Sequence, residues 1–246
     1  MQQLKAAALL SGPVILLLLA AALVGGPLIW WIATGLAVCI FAVLWRADSL
    51  VLRSLRAERL EEQAAPGLFA IIRTLTRRLQ LSYVGVYVLP NEAPNALVIA
   101  GPSKVSCLVV TSGLLHLLDS NQLAGVLAHH LSLVESGAAF GMSVAACCLL
   151  FLDRVPGAGL FHRGLVRFIS PASLKIDADA ASTHLIGDAL PLLGAFAKIA
   201  SSSRLAIAPA VGHLCLIDPQ EMDGLLASRM ARISALSGRP LPCAAE

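Results

Sequence analysis

The chain has 246 residues, of which 57% are hydrophobic and 13% are charged, and its mean hydropathy is +0.80. Because this composition is far more apolar than that of a soluble domain of similar size, we expect a lipid bilayer to be part of its surroundings. The formal net charge of +3 comes without a basic run that contains interleaved aromatic residues, so the sequence gives no indication of a nucleic-acid partner.

Two apolar runs open the chain, at residues 6–24 and 28–45, and each has about the 20 residues that a membrane-spanning helix needs. Gly25, Gly26 and Pro27 lie between them and break any helix. The sequence therefore predicts a transmembrane helical hairpin over residues 1–46. A cleaved signal peptide is the alternative interpretation, but the second apolar run starts almost at once and favours an uncleaved hairpin.

Charged residues after the second run predict the orientation of the hairpin. Several arginines follow it, at Arg46, Arg53, Arg56 and Arg59, whereas the loop between the two runs carries no charge. By the positive-inside rule, the N-terminus and everything after residue 46 start on the cytoplasmic side. We interpret residues 47–65 as a solvated linker helix at the membrane surface.

The pattern changes in the third predicted region, residues 66–246. Residues 66–79 have the spacing of an amphipathic helix, and three short Val-rich runs at 83–89, 96–100 and 106–111 indicate a small sheet. A further helix follows over residues 120–135, where Asp119 and Gln122 form a plausible capping pair. The predicted fold is therefore mainly α-helical with a small β-sheet.

A third apolar run, at residues 138–152, is too short for a comfortable span. A weaker apolar stretch follows it to about residue 168. We expect a hairpin over residues 138–168 that dips into the membrane and returns, with a true span as the alternative.

Three phrases in this order resemble the HtpX-like integral-membrane zinc metallopeptidases: VYVLPNEAPNALVIAG, VVTSGLLHLLDSNQLAGVLAHHLSLVE and IDADAASTHLIGD. The resemblance runs over most of the chain and implies an α+β, zincin-like domain. In such enzymes an HExxH helix supplies two zinc ligands and a general base, and a later carboxylate supplies the third ligand.

The resemblance keeps the first histidine of the HExxH pattern and places altered residues at the other catalytic positions. His129 stands at the first histidine ligand, His130 at the general base, and Leu133 at the second histidine ligand. Since adjacent helical residues point about 100° apart, His129 and His130 cannot readily bind one ion together.

The position of the third ligand is also altered. Asp177, one methylene shorter than the family's glutamate, stands there, and Asp179 follows as a neighbour of the ligand. We therefore name His129 and Asp177 as residual metal-ligand positions. A His-Pro pair that the family tends to carry near its C-terminus is missing.

Two functions remain open from the sequence. The first is a pseudopeptidase without a cofactor, which binds partner proteins as extended strands along residues 96–100 or 106–111, or through its membrane helices. The second is an active zinc metalloendopeptidase with a non-standard site, built from His129 and Asp177 with His130 or His184.

Partners and location follow from the apolar composition. We expect an integral protein of the bacterial inner membrane, with its soluble domain in the cytoplasm and with other membrane proteins, or a larger membrane complex, as partners. The six cysteines show neither paired zinc-site spacing nor the density of a disulfide scaffold, so we expect them to be reduced.

Overall fold

A computed structural model describes residues 2–82, 84–102, 106–154, 159–219 and 222–237. Helices α1 (Gln2–Val24) and α2 (Pro27–Trp45) pack side by side as a hairpin. Gly25 and Gly26 have φ angles of 77° and 91°, a region that glycine adopts readily, and so permit the tight turn between the helices.

The hairpin leaves many large apolar side chains exposed, including Leu16 and Trp31. Within the described part of the chain, α2 is the one unbroken helix that is both long and apolar enough to cross a membrane. The predicted N-terminal apolar hairpin and the mainly helical fold with a small sheet are thus confirmed.

The predicted linker helix is helical only in its first half, α3 (Ala47–Leu55). Arg56 ends the helix with a left-handed φ of 53°, and the chain then forms a two-residue strand, β1 (Glu58–Arg59), and a 3-10 turn (Glu62–Ala64). The charge spacing of this segment suits a helix, but pairing with the sheet satisfies its backbone groups instead.

Four strands form one sheet in the order β1-β2-β4-β3. Strand β2 (Val84–Leu89) runs parallel to β4 (Ser106–Thr111), and β3 (Ala96–Ala100) runs antiparallel to β4. The prediction that residues 106–111 could offer an open edge is therefore wrong, because β4 is paired on both sides. Strand β3 is an edge strand, and all five of its residues are buried.

The remaining helices pack against the sheet or against one another. They are α4 (Pro66–Arg78), α5 (Ser112–Leu117), α6 (Ser120–Glu135), α7 (Ala138–Leu152), α8 (Gly159–Ile169), α9 (Ala172–Ile186), α10 (Leu190–Ala200), α11 (Pro209–Gly212) and α12 (Met222–Ser237). Helix α6 lies at the centre, in contact with α4, α9, α10 and β3.

Helix α7 connects the hairpin to the rest of the protein. Gly137, with a φ of 74°, separates it from α6, and the two helices are bent by 87°. Helix α7 contacts α1 and α2 of the hairpin and also α3, β3 and α11. Helix α8 packs against α7. Residues 155–158, which would join the two helices, lie outside the described residues, so the hairpin over residues 138–168 and its depth in a membrane stay predictions.

Candidate functional site

Helix α6 carries the histidines that the sequence singled out. Its start is set by a complete capping box, in which Asp119 accepts a hydrogen bond from the backbone of Gln122 and the Gln122 side chain accepts one from the backbone of Asp119. Most later residues of the helix are buried, and His129 and His130 are both 0% exposed. Their rings lie edge to face, with centroids 5.2 Å apart.

His129 faces a carboxylate on α9. Its Nδ1 lies 2.7 Å from Oδ1 of Asp179, whose side chain is almost fully buried. Arg229 of α12 grips the same carboxylate with two nitrogens: Nε donates to Oδ2 at 2.7 Å and Nη2 to Oδ1 at 2.8 Å. Such a two-pronged contact is the strongest form of arginine–carboxylate pair.

A second buried cation lies near this ion pair. Lys175, one helical turn before Asp179, is 4% exposed, and its Nζ donates to the carbonyl of Cys215 at 2.9 Å. Arg229 also donates through Nη1 to the carbonyl of Leu216 at 2.6 Å, and its guanidinium stacks 4.6 Å above the ring of Phe196. The cluster around Asp179 therefore holds two protein cations.

Burial and charge shift the pKa values in this cluster. Burial lowers the pKa of His129 most strongly, against the opposing effect of Asp179. The pKa of His130 lies well below its ordinary value, because burial is reinforced by His129, Lys175 and Arg229. Both imidazoles are therefore neutral at physiological pH.

The two charged partners are shifted as well. Burial raises the pKa of Asp179, but His129 and Arg229 together outweigh burial and hold it below the usual range. Burial, with a smaller effect of Arg229, lowers the pKa of Lys175 from 10.5 to about 8. Asp179 is therefore ionised and Lys175 still charged at neutral pH.

Asp177 lies apart from the histidines. Its side chain is on the exposed face of α9, whereas Lys175 and Asp179 are on the buried face. Residues two apart in a helix point about 200° away from each other, so Asp177 and Asp179 cannot face α6 together. His184, also on α9, is exposed. The structure thus brings Asp179 to His129 and leaves Asp177 and His184 outside the cluster.

Sequence reasoning missed Lys175 and Arg229. Lys175 could have been found, since a spacing of four places it on the same helical face as Asp179. Arg229 could not, because nothing in its neighbourhood distinguishes it from Arg232, which is exposed on the same helix.

The donor set does not fit a zinc ion. Asp179 orients the ring of His129 as carboxylates orient zinc-bound histidines, and Nε2 of His129 has no hydrogen-bond partner in the described structure. However, zinc requires at least three protein ligands. Leu133 is a buried apolar side chain, and no group of three His, Cys, Asp or Glu residues suited to a metal occurs among the described residues.

His130 supplies no replacement ligand. Its ring faces the backbone of Ala96 at the start of β3, without a hydrogen bond of good geometry at either nitrogen. It lies beside His129 in the interior, where it has no open position for water or substrate.

Comparison with known proteins gives a consistent set of relatives. No family model matches the chain. A protein named Protease HtpX homolog from Paenarthrobacter aurescens is 30% identical over 235 residues, which cover 80% of this chain and 81% of the relative. Homologues of the same name from Pseudarthrobacter chlorophenolicus and Kineococcus radiotolerans are 29% and 26% identical, over 80% and 84% of this chain and 81% and 85% of their own lengths.

Proposed function

The chain belongs to the family of HtpX protease homologues, and on this premise we propose that it is a membrane-anchored pseudopeptidase. It acts as a binding or scaffold subunit in a membrane protein complex and does not cleave peptide bonds. Its sequence resembles the family in the phrases around APNA and TSGLL, and by the same resemblance His130, Leu133 and Asp177 stand at the base, second-histidine and carboxylate positions, while His129 is kept.

The observation that carries this proposal is the ion pair between Arg229 and Asp179. In a peptidase, the zinc ion is bound by neutral or negatively charged side chains and by one water molecule. Here a guanidinium occupies both oxygens of the carboxylate beside His129, and Lys175 adds a second buried positive charge. A divalent cation at this place would be repelled by both side chains, so the cluster is complete without one.

The membrane hairpin supports the anchoring part of the proposal. The lipid-sized apolar helix α2 and its neighbour α1 expose large aliphatic and aromatic side chains, which suit contact with lipid or with helices of other proteins. The arginines after α2 favour a location of the remaining chain on the cytoplasmic side of a bacterial inner membrane.

Metal analysis and a cleavage assay on the full-length protein in detergent test this proposal together. The Paenarthrobacter aurescens homologue, purified in parallel, is the positive control, and an unfolded protein such as casein is the substrate. We expect no stoichiometric zinc and no cleavage above background. His129→Ala should leave both readouts as they are in the unaltered protein, as should His116→Ala, which changes an exposed histidine on α5.

The competing function has its own signature. About one zinc per chain, with cleavage that a chelator abolishes and that His129→Ala removes while His116→Ala does not, would establish an active peptidase with a non-standard site. That result would sink the pseudopeptidase proposal.

A further inference from the structure

The outer edge of β3 is covered by the chain's own residues 213–217. Leu97 of β3 forms an antiparallel bridge with Cys215, and the backbone N–H of Leu216 donates to the carbonyl of Ala96 at 2.8 Å. The covering segment is itself buried throughout. It therefore lies where an added strand from another protein would have to pair.

Side chains hold three successive carbonyls of this segment. Lys175 donates to Cys215 at 2.9 Å, Arg229 to Leu216 at 2.6 Å, and Asn95 through Nδ2 to Ile217 at 2.8 Å. Two of the three donors are cations, and hydrogen bonds from cations are about twice as strong as those between neutral groups. The backbone ladder contributes one bridge, so these side chains supply much of the attachment.

The same two cations belong to the cluster around Asp179. Arg229 joins the carboxylate to the Leu216 carbonyl with different nitrogens of one guanidinium, so the ion pair fixes the donor that holds the segment. Burying charges costs free energy that an apolar core would not require. Holding a peptide backbone at the sheet edge is a task that explains this cost.

We propose that residues 213–217 are a built-in peptide ligand of the β3 edge, clamped by Lys175 and Arg229, and that they close this edge to peptides of other proteins. Peptides that bind by strand addition use the backbone N–H and C=O groups of an edge, and those of Ala96 and Leu97 are already engaged. Partner strands can enter only after this segment has left. The clamp is independent of the proposed function, because it involves neither metal nor cleavage.

Thiol labelling of the full-length protein in detergent tests the clamp. Cys215 lies in the middle of the segment and is 1% exposed, so its reaction with a maleimide reports departure from β3. Cys147, 0% exposed on α7, reacts only when the core opens. Both sites are followed by peptide mass spectrometry in the unaltered protein, in Lys175→Met and in Arg229→Lys. Arg232→Lys is the matched control, an exposed arginine three residues further along α12.

We expect Cys215 to be labelled about tenfold or more faster in Lys175→Met and in Arg229→Lys, which is the loss of one charge-assisted hydrogen bond. Cys147 should stay protected, and Arg232→Lys should match the unaltered protein. Methionine keeps the length of Lys175 without its charge, so Lys175→Met tests the clamp even if Arg229→Lys fails to fold. Hydrogen exchange at the Leu216 amide should rise in parallel.

Two results would overturn the proposal. Cys215 could remain as protected in Lys175→Met as in Arg232→Lys, in which case the cations do not hold the segment. Alternatively, Cys147 and Cys215 could become reactive together, in which case the two side chains stabilise the whole core and the segment is not a separable ligand.

Discussion

The buried charge of Lys175 affects the stability of the folded protein. Its ammonium is removed from water, and a backbone carbonyl is the hydrogen-bond partner it has within the described structure. The carboxylate of Asp179, which would be the natural counter-ion, is already gripped by Arg229. Burying this charge therefore costs free energy in the folded protein, and the pKa of Lys175 is lowered as a result.

We predict that Lys175 makes a stabilising contribution that grows in mild alkali. Its pKa falls from 10.5 in the unfolded chain to about 8 in the folded one, so between these values the unfolded chain binds more protons. Lys175 should then contribute an increase of up to about 1.4 kcal/mol per pH unit in the free energy of unfolding over this window. Buried Cys107 and Cys215 oppose it, because burial raises their pKa from 9.0 to about 11 and about 12 and the unfolded thiols ionise first. Denaturant unfolding in detergent from pH 7.5 to 10 isolates the Lys175 contribution as the difference between the unaltered protein and Lys175→Met, and this difference should grow with pH. Lys198→Met, at a partly exposed site, should follow the unaltered protein.

At the scale of elements, two of the sequence phrases that resemble the family, around APNA and TSGLL, are joined by hydrogen bonds. The Ser112 hydroxyl donates to the carbonyl of Asn91, and the Gly113 N–H donates to the same carbonyl. Thr111 accepts from the backbone of Asn95 and also caps α5 by accepting from Leu114. These phrases thus join the loop before β3 to the start of α5, a structural role that needs no catalysis.

Gly113 marks the tightest point of this junction. A Cβ atom there would lie 1.8 Å from the carbonyl oxygen of Glu92, a backbone atom that cannot move aside cheaply. Gly113→Ala should lower the free energy of unfolding by about 1–3 kcal/mol, the usual cost of overpacking. Gly67→Ala in α4, where a Cβ meets nothing within 4 Å, should leave it unchanged or raise it slightly. Equal thermal shifts for the two variants would contradict this account.

Periodicity predicted the elements well because their signals are local. The capping box at Asp119, the Val-rich strands and the apolar hairpin all appear where neighbouring residues specify them. Partners distant in sequence could not be predicted in the same way. Arg229 is 50 residues from Asp179 in the sequence. The segment that covers β3 is more than a hundred residues away from β3. These contacts depend on how the helices pack, which a single sequence does not reveal.

At the scale of the whole molecule, the arginines after α2 make a prediction about topology. Because the loop at Gly25 and Gly26 is uncharged, both ends of the hairpin should lie in the cytoplasm. A C-terminal alkaline phosphatase fusion should therefore be inactive, and a C-terminal fluorescent protein should be bright. Changing the four arginines to glutamine should weaken this preference. High phosphatase activity in the unaltered fusion would place the domain on the opposite side.

Helix α7 has a consequence for how the protein meets its neighbours. It touches both the hairpin and the sheet, and ten of its fifteen residues are buried. The hairpin is therefore packed against the rest of the protein through a shared helix. If the hairpin lies in a bilayer as we propose, we expect this contact to hold the sheet and its closed β3 edge at a set height and tilt relative to the lipid surface. A docking partner would then have to match that height and tilt.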